Sequence, residues 1–286
     1  MSNVALLALV LGAAAFSPSA VQAGDAGECV VSTELGVPPS STDERHSLAA
    51  CHAARASFAE LFGEPVPGVR IILWEEPHYR MGLLRGEAAI FWPTGEAMTP
   101  RRVDPIVAEM HVEKQWREVL PHEIAHLLLA VQFFRDDRTD PGDGYGTPLP
   151  DWLDEAVAIW AEPPESRRRR IEQARELPDE YRDLRSILTR PHPAAGRTAG
   201  YVTRDGTARP ADFDLWAFYP QSIAVLAFIH EHGGTEATTE LVRRLLAAPD
   251  DLLPLAGLPG LPEDFEAVQA LWKEWITGGA RGNSES

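Results

Sequence analysis

His122-Glu123-Ile124-Ala125-His126 sets two imidazoles four residues apart at the head of an apolar run that continues through Leu127, Leu128 and Leu129. On a helix, positions i and i+4 share a face about one turn apart. The run therefore predicts a helix that is at least partly buried and carries both rings on one side. Two neutral imidazoles so placed can bind one Zn²⁺ at about 2.0–2.1 Å. Glu123 stands beside the first ring, where a carboxylate can act as general base on water at the metal. A five-residue pattern also arises by chance on surface helices, so the reading depends on what else the chain supplies.

Zinc needs a third protein ligand, drawn from His, Asp or Glu. The extension that would supply a third histidine is absent, because Leu129 and Gln132 occupy the places of its glycine and histidine. A carboxylate is available in Pro150-Asp151-Trp152-Leu153-Asp154-Glu155-Ala156-Val157-Ala158. Glu155 falls at the start of the next predicted helix, across a loop rich in Asp, Gly and Pro, and Trp152 and Leu153 would pack beneath it. By position alone it is equally a zinc ligand or a first-turn acid favoured by the helix dipole.

The pair H-E-x-x-H … W-L-x-E resembles the gluzincin metallopeptidases, the peptidase MA-like group with its M1-like members. The resemblance implies His122, His126 and Glu155 as ligands of one Zn²⁺ per chain and Glu123 as catalytic base. Ala156 stands where that group carries glycine. Glu162 matches an acid often found seven residues after the ligand, and it reads equally as a solvated or capping acid. Phe218-Tyr219-Pro220-Gln221-Ser222, the apolar run to Ile229 and Gly233-Gly234 are similar to a further helix of the same group. That likeness makes Tyr219 the candidate donor to a developing oxyanion. A tyrosine packed in the core is the alternative, and Pro220 is expected at the helix N-terminus. The aminopeptidase signature G-x-M-E-N of that clan is missing, which leaves endopeptidase or specialised peptidase activity open.

Residues Val4 to Phe16 form an uncharged apolar stretch, followed by Val21-Gln22-Ala23, a small-x-small site. This reads as a secretory signal peptide over residues 1–23; a buried N-terminal helix or an uncleaved anchor is the alternative. The stretch is shorter than the roughly 20 residues a spanning helix needs, and no other segment is apolar enough, so no membrane span is expected after cleavage. The only two cysteines, Cys29 and Cys51, read as one disulfide in an exported chain, periplasmic or secreted. Two unpaired buried thiols are the alternative. A formal charge of −17 leaves no basic excess to replace counterions on phosphates, so nucleic acid is not an expected partner.

Apolar periodicity predicts a helix from about Asp43 to Phe62 and strands over Val69–Trp74 and Glu87–Trp92, with 77–86 as a connection. Helices follow from Val107, over Trp116–Phe134 with Pro121 in a first turn or at a kink, over Trp152–Glu162, and from Arg167 towards Leu177. Helices over Leu215–Gly233, Glu236–Ala248 and Phe265–Ile276 complete the reading. Arg167 to Arg170 is expected to form a solvated helix face, and His230 and His232 to be solvated; His192 and His111 have no evident partner. The expectation is an α+β chain with a gluzincin-like fold. An N-terminal α/β lobe (24–135) ends in the H-E-x-x-H helix, a mainly helical lobe (136–286) carries the third ligand, and zinc sits in the cleft between. Residues 24–66 could also be a removable pro-segment.

Two functions follow as expectations. One is an exported zinc metallopeptidase acting on a peptide or protein substrate. The other is a zinc-stabilised binding or assembly module without turnover, since peptidase-like folds host both. Asp136, Asp137, Asp140 and Asp143 lie in the loop between His126 and Glu155, where their field would favour basic substrates.

Overall fold

The computed structural model describes residues 27–84, 87–100, 103–134, 147, 149–190, 211–248 and 254–278. The signal segment 1–23, the four loop aspartates and His192 lie outside the described residues.

The first segment alternates strand and helix. β1 (Cys29–Thr33) leads into α1 (Ser41–Phe62), which is followed by β2 (Val69–Trp74), β3 (Arg80–Leu84) and β4 (Glu87–Pro93). The sheet order is β1-β2-β4-β3. β2 pairs in parallel with β1 and β4, aligning Ile71 with Val31 and with Ile90, while β3 runs antiparallel to β4 at the edge. α1 starts two residues earlier than its acidic Asp43-Glu44 signal suggests, because the Ser40 hydroxyl accepts from the Asp43 N–H at 3.1 Å and caps the helix there. Cys29 and Cys51 are joined in a disulfide, with Cα atoms 6.1 Å apart, tying β1 to α1.

Residues 77–86 are not merely a connection, since β3 lies within them. Arg80-Met81-Gly82-Leu83-Leu84 has a central glycine and no apolar alternation. Its strand conformation comes from hydrogen bonding to β4 rather than from local preference.

α2 (Gly95–Met98) and α3 (Pro105–Lys114) follow, then a π-helical turn over Gln115–Val119 and α4 (Leu120–Phe133). In the π turn the Leu120 N–H reaches back five residues to the Gln115 carbonyl. Pro121 follows directly in α4, which continues the same helical path, so the π turn lies where the hydrogen-bond ladder must adjust to its missing N–H. α4 packs against α1, α5, β4 and β3.

The remaining elements are α5 (Asp151–Trp160), α6 (Pro164–Glu176), α7 (Leu184–Leu188), α8 (Ala211–Ala247) and α9 (Phe265–Gly278). α8 is broken at Gly234, which has φ 60° and ψ −155°, so the expected two helices meet there. Pro220 lies inside α8 and not at its start; the helix extends to Ala211 and forgoes only the bond that the absent N–H would make. The arginine run is not wholly solvated. Arg167 lies over the Trp160 ring at 4.2 Å and Arg170 binds Glu162, while Arg168 and Arg169 face solvent. His230 and His232 are half-buried, the first edge-on to Trp160 and the second with Nδ1 2.8 Å from the Phe228 carbonyl. No helix among the described residues is long and apolar enough to cross a membrane.

One apolar core runs from Ala50 in α1 through β2, β4, α4 and α5 to Ile276 in α9. At Gly233 the chain closes tightly on itself. A Cβ there would stand 1.9 Å from the Pro259 carbonyl oxygen and 2.5 Å from the Ala237 Cβ. Backbone cannot yield as a flexible side chain can, so Gly233→Ala should destabilise the fold by about 1–3 kcal/mol. An unchanged urea midpoint in that variant would contradict the close approach.

Candidate metal centre

α4 places His122 and His126 one turn apart, and α5 brings Glu155 against them. α5 is buried along Trp152–Trp160, and the two acids of that stretch, Asp154 and Glu155, are each met by an imidazole in the interior. One ligand atom from each of His122, His126 and Glu155 lies within 4.8 Å of the others. The two Nε2 atoms are 3.3 Å apart. Glu155 Oε2 is 3.4 Å from His122 Nε2 and 3.9 Å from His126 Nε2. Tetrahedral ligands at about 2.0–2.1 Å from zinc stand roughly 3.3–3.4 Å from one another, so the triangle fits that ion with a small movement of one edge.

Each imidazole is held from behind. His126 Nδ1 is 2.7 Å from Asp154 Oδ1, and the other Asp154 oxygen accepts from the Thr147 N–H at 2.9 Å and its hydroxyl at 3.3 Å. His122 Nδ1 is 3.1 Å from Glu162 Oε1, and Arg170 clamps both Glu162 oxygens at 2.9 and 3.2 Å. These carboxylates assign the proton of each ring to Nδ1 and turn the Nε2 lone pairs inward. At these separations an Nε2 lone pair is repelled by its neighbour and by the carboxylate oxygen unless a proton or a metal ion lies between them. The donor set of two imidazoles and one carboxylate suits zinc.

The electrostatics agree. Burial opposes a charge on His122, but hydrogen bonds to Glu155 and Glu162 and the charges of Glu155 and Glu123 outweigh it, raising its pKa from 6.5 to about 10. His126 is raised too: burial opposes, and the charge and hydrogen bond of Asp154 prevail. The site is built for positive charge.

Glu123 is not one of the three converging groups. It is 8% exposed, and its Oε1 accepts from the Tyr79 hydroxyl at 2.9 Å. Tyr219 is half-buried, its ring edge-on to Phe218 at 5.7 Å and 5.9 Å from the Arg170 guanidinium carbon. It therefore borders the chain Arg170–Glu162–His122. His111 lies apart, on the wall of a cleft formed with α2.

The sequence pointed to His122, His126 and Glu155, which converge here, and to Glu123, but singled out neither Asp154 nor Tyr79. Asp154 carried a signal only in hindsight, as a second acid adjoining Glu155 in a helix too apolar to be exposed. Tyr79 carried none, because it meets Glu123 across 44 positions. Compared with known family models, curated proteins and solved structures, the chain matches none.

Proposed function

We propose that this chain is an exported zinc-dependent hydrolase that cuts peptide bonds. The observation that carries the reading is the inward triangle of His122 Nε2, His126 Nε2 and Glu155 Oε2, with edges of 3.3, 3.4 and 3.9 Å, beside the carboxylate of Glu123. Zinc held there would supply a Lewis acid and bring the pKa of water near neutrality. Glu123 takes the proton of the attacking water on its carboxylate and passes it to the leaving amine. Tyr219 is the proposed hydroxyl donor to the developing oxyanion. Asp154 and Glu162 keep the rings oriented throughout.

A peptide substrate is favoured by the sheet. β3 is one of its two edge strands and packs on α4, and Tyr79, directly before β3, touches Glu123. An extended chain added along that edge would run past the base. The disulfide supports export, since such bonds persist in oxidising compartments.

Metal analysis tests the centre. The purified wild-type protein should carry about one zinc per chain, and His126→Ala should lose it. A wild-type chain that binds no zinc after reconstitution would end the proposal. A chain that keeps zinc but cleaves no member of a peptide library would be the non-catalytic binding module instead.

A further inference from the structure

We propose that Tyr79 is a positioning residue, which holds the Glu123 carboxylate by one oxygen and so fixes where the other points. This rests on the hydrolase reading above and extends it to a residue on the sheet. The phenol donates to Glu123 Oε1 at 2.9 Å. Glu123 is 8% exposed, so little water is available to its oxygens, and a buried carboxylate oxygen without a donor is costly. A bond from a neutral hydroxyl to a charged acceptor is among the stronger kinds.

The arm that presents the hydroxyl is stiff. The Tyr79 ring stacks on Trp92 with centroids 5.3 Å apart and planes at 29°. Trp92 has no exposed surface and its ring lies 6.3 Å from that of Trp116 in the π turn. The hydroxyl is thus referenced to the core through two aromatic contacts, whereas a glutamate side chain by itself turns about three bonds. Tyr79 is also 39% exposed and walls an open cleft of about 830 Å³ with Trp92, Glu96 and His111. A substrate arriving by that cleft meets the residue that orients the base.

Tyr79→Phe keeps the ring on Trp92 and removes only the hydroxyl. With a cleaved peptide, kcat should fall about 10- to 100-fold, with KM within about twofold and zinc content unchanged, because misplacing a reacting group costs rate more than affinity. In a Glu123→Gln background the same change should alter the residual rate less than about twofold, since Tyr79 acts through Glu123. A readout independent of turnover is thermal unfolding of the zinc-free chain. There Tyr79→Phe should lower the midpoint by about 3–6 °C, and by under about 1 °C when Glu123 is already alanine. If the wild type cleaves peptides, Glu123→Gln does not and Tyr79→Phe matches the wild type, the inference fails and the hydrolase reading stands. If the wild type cleaves nothing, that reading fails, and the unfolding cycle alone decides. Equal midpoint losses in both backgrounds would then overturn the hold of Tyr79 on Glu123.

Discussion

Glu123→Gln is expected to leave zinc in place and to lower peptide hydrolysis by about 10²–10⁴-fold, the usual contribution of a positioned general base. The amide has the shape of the carboxylate, and its oxygen can still accept from Tyr79, so the fold around it should persist. Glu123 is not among the three groups that converge on the metal position. Its charge does contribute to holding a proton on His122. Removing that charge weakens attraction for zinc and for the competing proton together, so zinc affinity at neutral pH should change little. Parallel metal analysis and a peptide-library digest of the wild type and the variant check this. Hydrolysis at the wild-type rate by a zinc-loaded Glu123→Gln chain would remove Glu123 from the chemistry. Loss of zinc would instead make it part of the metal shell.

The parts of this protein legible in its sequence are those encoded by local pattern. The helical spacing of Cys51, Ala54, Phe58 and Leu61 predicts α1, and all four are buried. The β-branched run before Trp74 predicts β2, and Gly233-Gly234 predicts the break in α8. That His122 and His126 share a face of α4 was legible because a spacing of four on one helix fixes it. Glu155 was ambiguous from its position and became a ligand candidate through the family resemblance. What escaped depends on partners far away in the chain. β1, the five residues Cys29–Thr33, is only half-buried and exists by pairing with β2. β3 has little strand propensity and exists by pairing with β4. Arg170 belongs to what looks like a solvated basic run until Glu162 is seen to face it, and Tyr79 reaches Glu123 only once the sheet edge is laid on α4. The π turn before Pro121 was hidden as well, because only its backbone hydrogen bonds distinguish it from the α-helix on either side.

The candidate metal centre has two layers of negative charge, and the layers have opposed consequences for a proton and for zinc. Glu155 faces the Nε2 atoms, while Asp154 and Glu162 face the Nδ1 atoms. The outer pair favours metal binding, because a ring that donates from Nδ1 is a better ligand through Nε2. Against the cost of burial, Glu162 with Glu155 and Glu123 stabilises a doubly protonated His122 when no metal is present, which accounts for its pKa of about 10, and Asp154 with Glu155 raises His126 in the same way. Arg170 tempers this by sharing the charge of Glu162.

Zinc binding to the metal-free chain should therefore expel protons across the neutral range. A ligating imidazole must be neutral at Nε2, and His122 is protonated up to about pH 10, with His126 raised in the same direction. Between pH 6 and 8 the apparent affinity should rise about tenfold per pH unit for one expelled proton and about a hundredfold for two. Competition with a chelator of known affinity at each pH measures the slope. Calorimetry in two buffers of different ionisation enthalpy counts the protons. Stability must follow the same linkage. The folded pKa of His122 lies above its unfolded value of 6.5, so its stabilising contribution to the metal-free chain is complete below about pH 6.5 and is lost as pH rises towards about 10. The zinc-loaded chain holds its ligating rings neutral at Nε2, so its stability is flat above the unfolded value of about 6.5 while that of the metal-free chain falls. The gap between the unfolding midpoints of the loaded and metal-free protein should widen from pH 6.5 to 9. A gap that stays constant, together with a zinc affinity flat in pH, would mean that His122 and His126 are already neutral before the metal arrives, and would contradict the charge that four surrounding carboxylates place on the two rings.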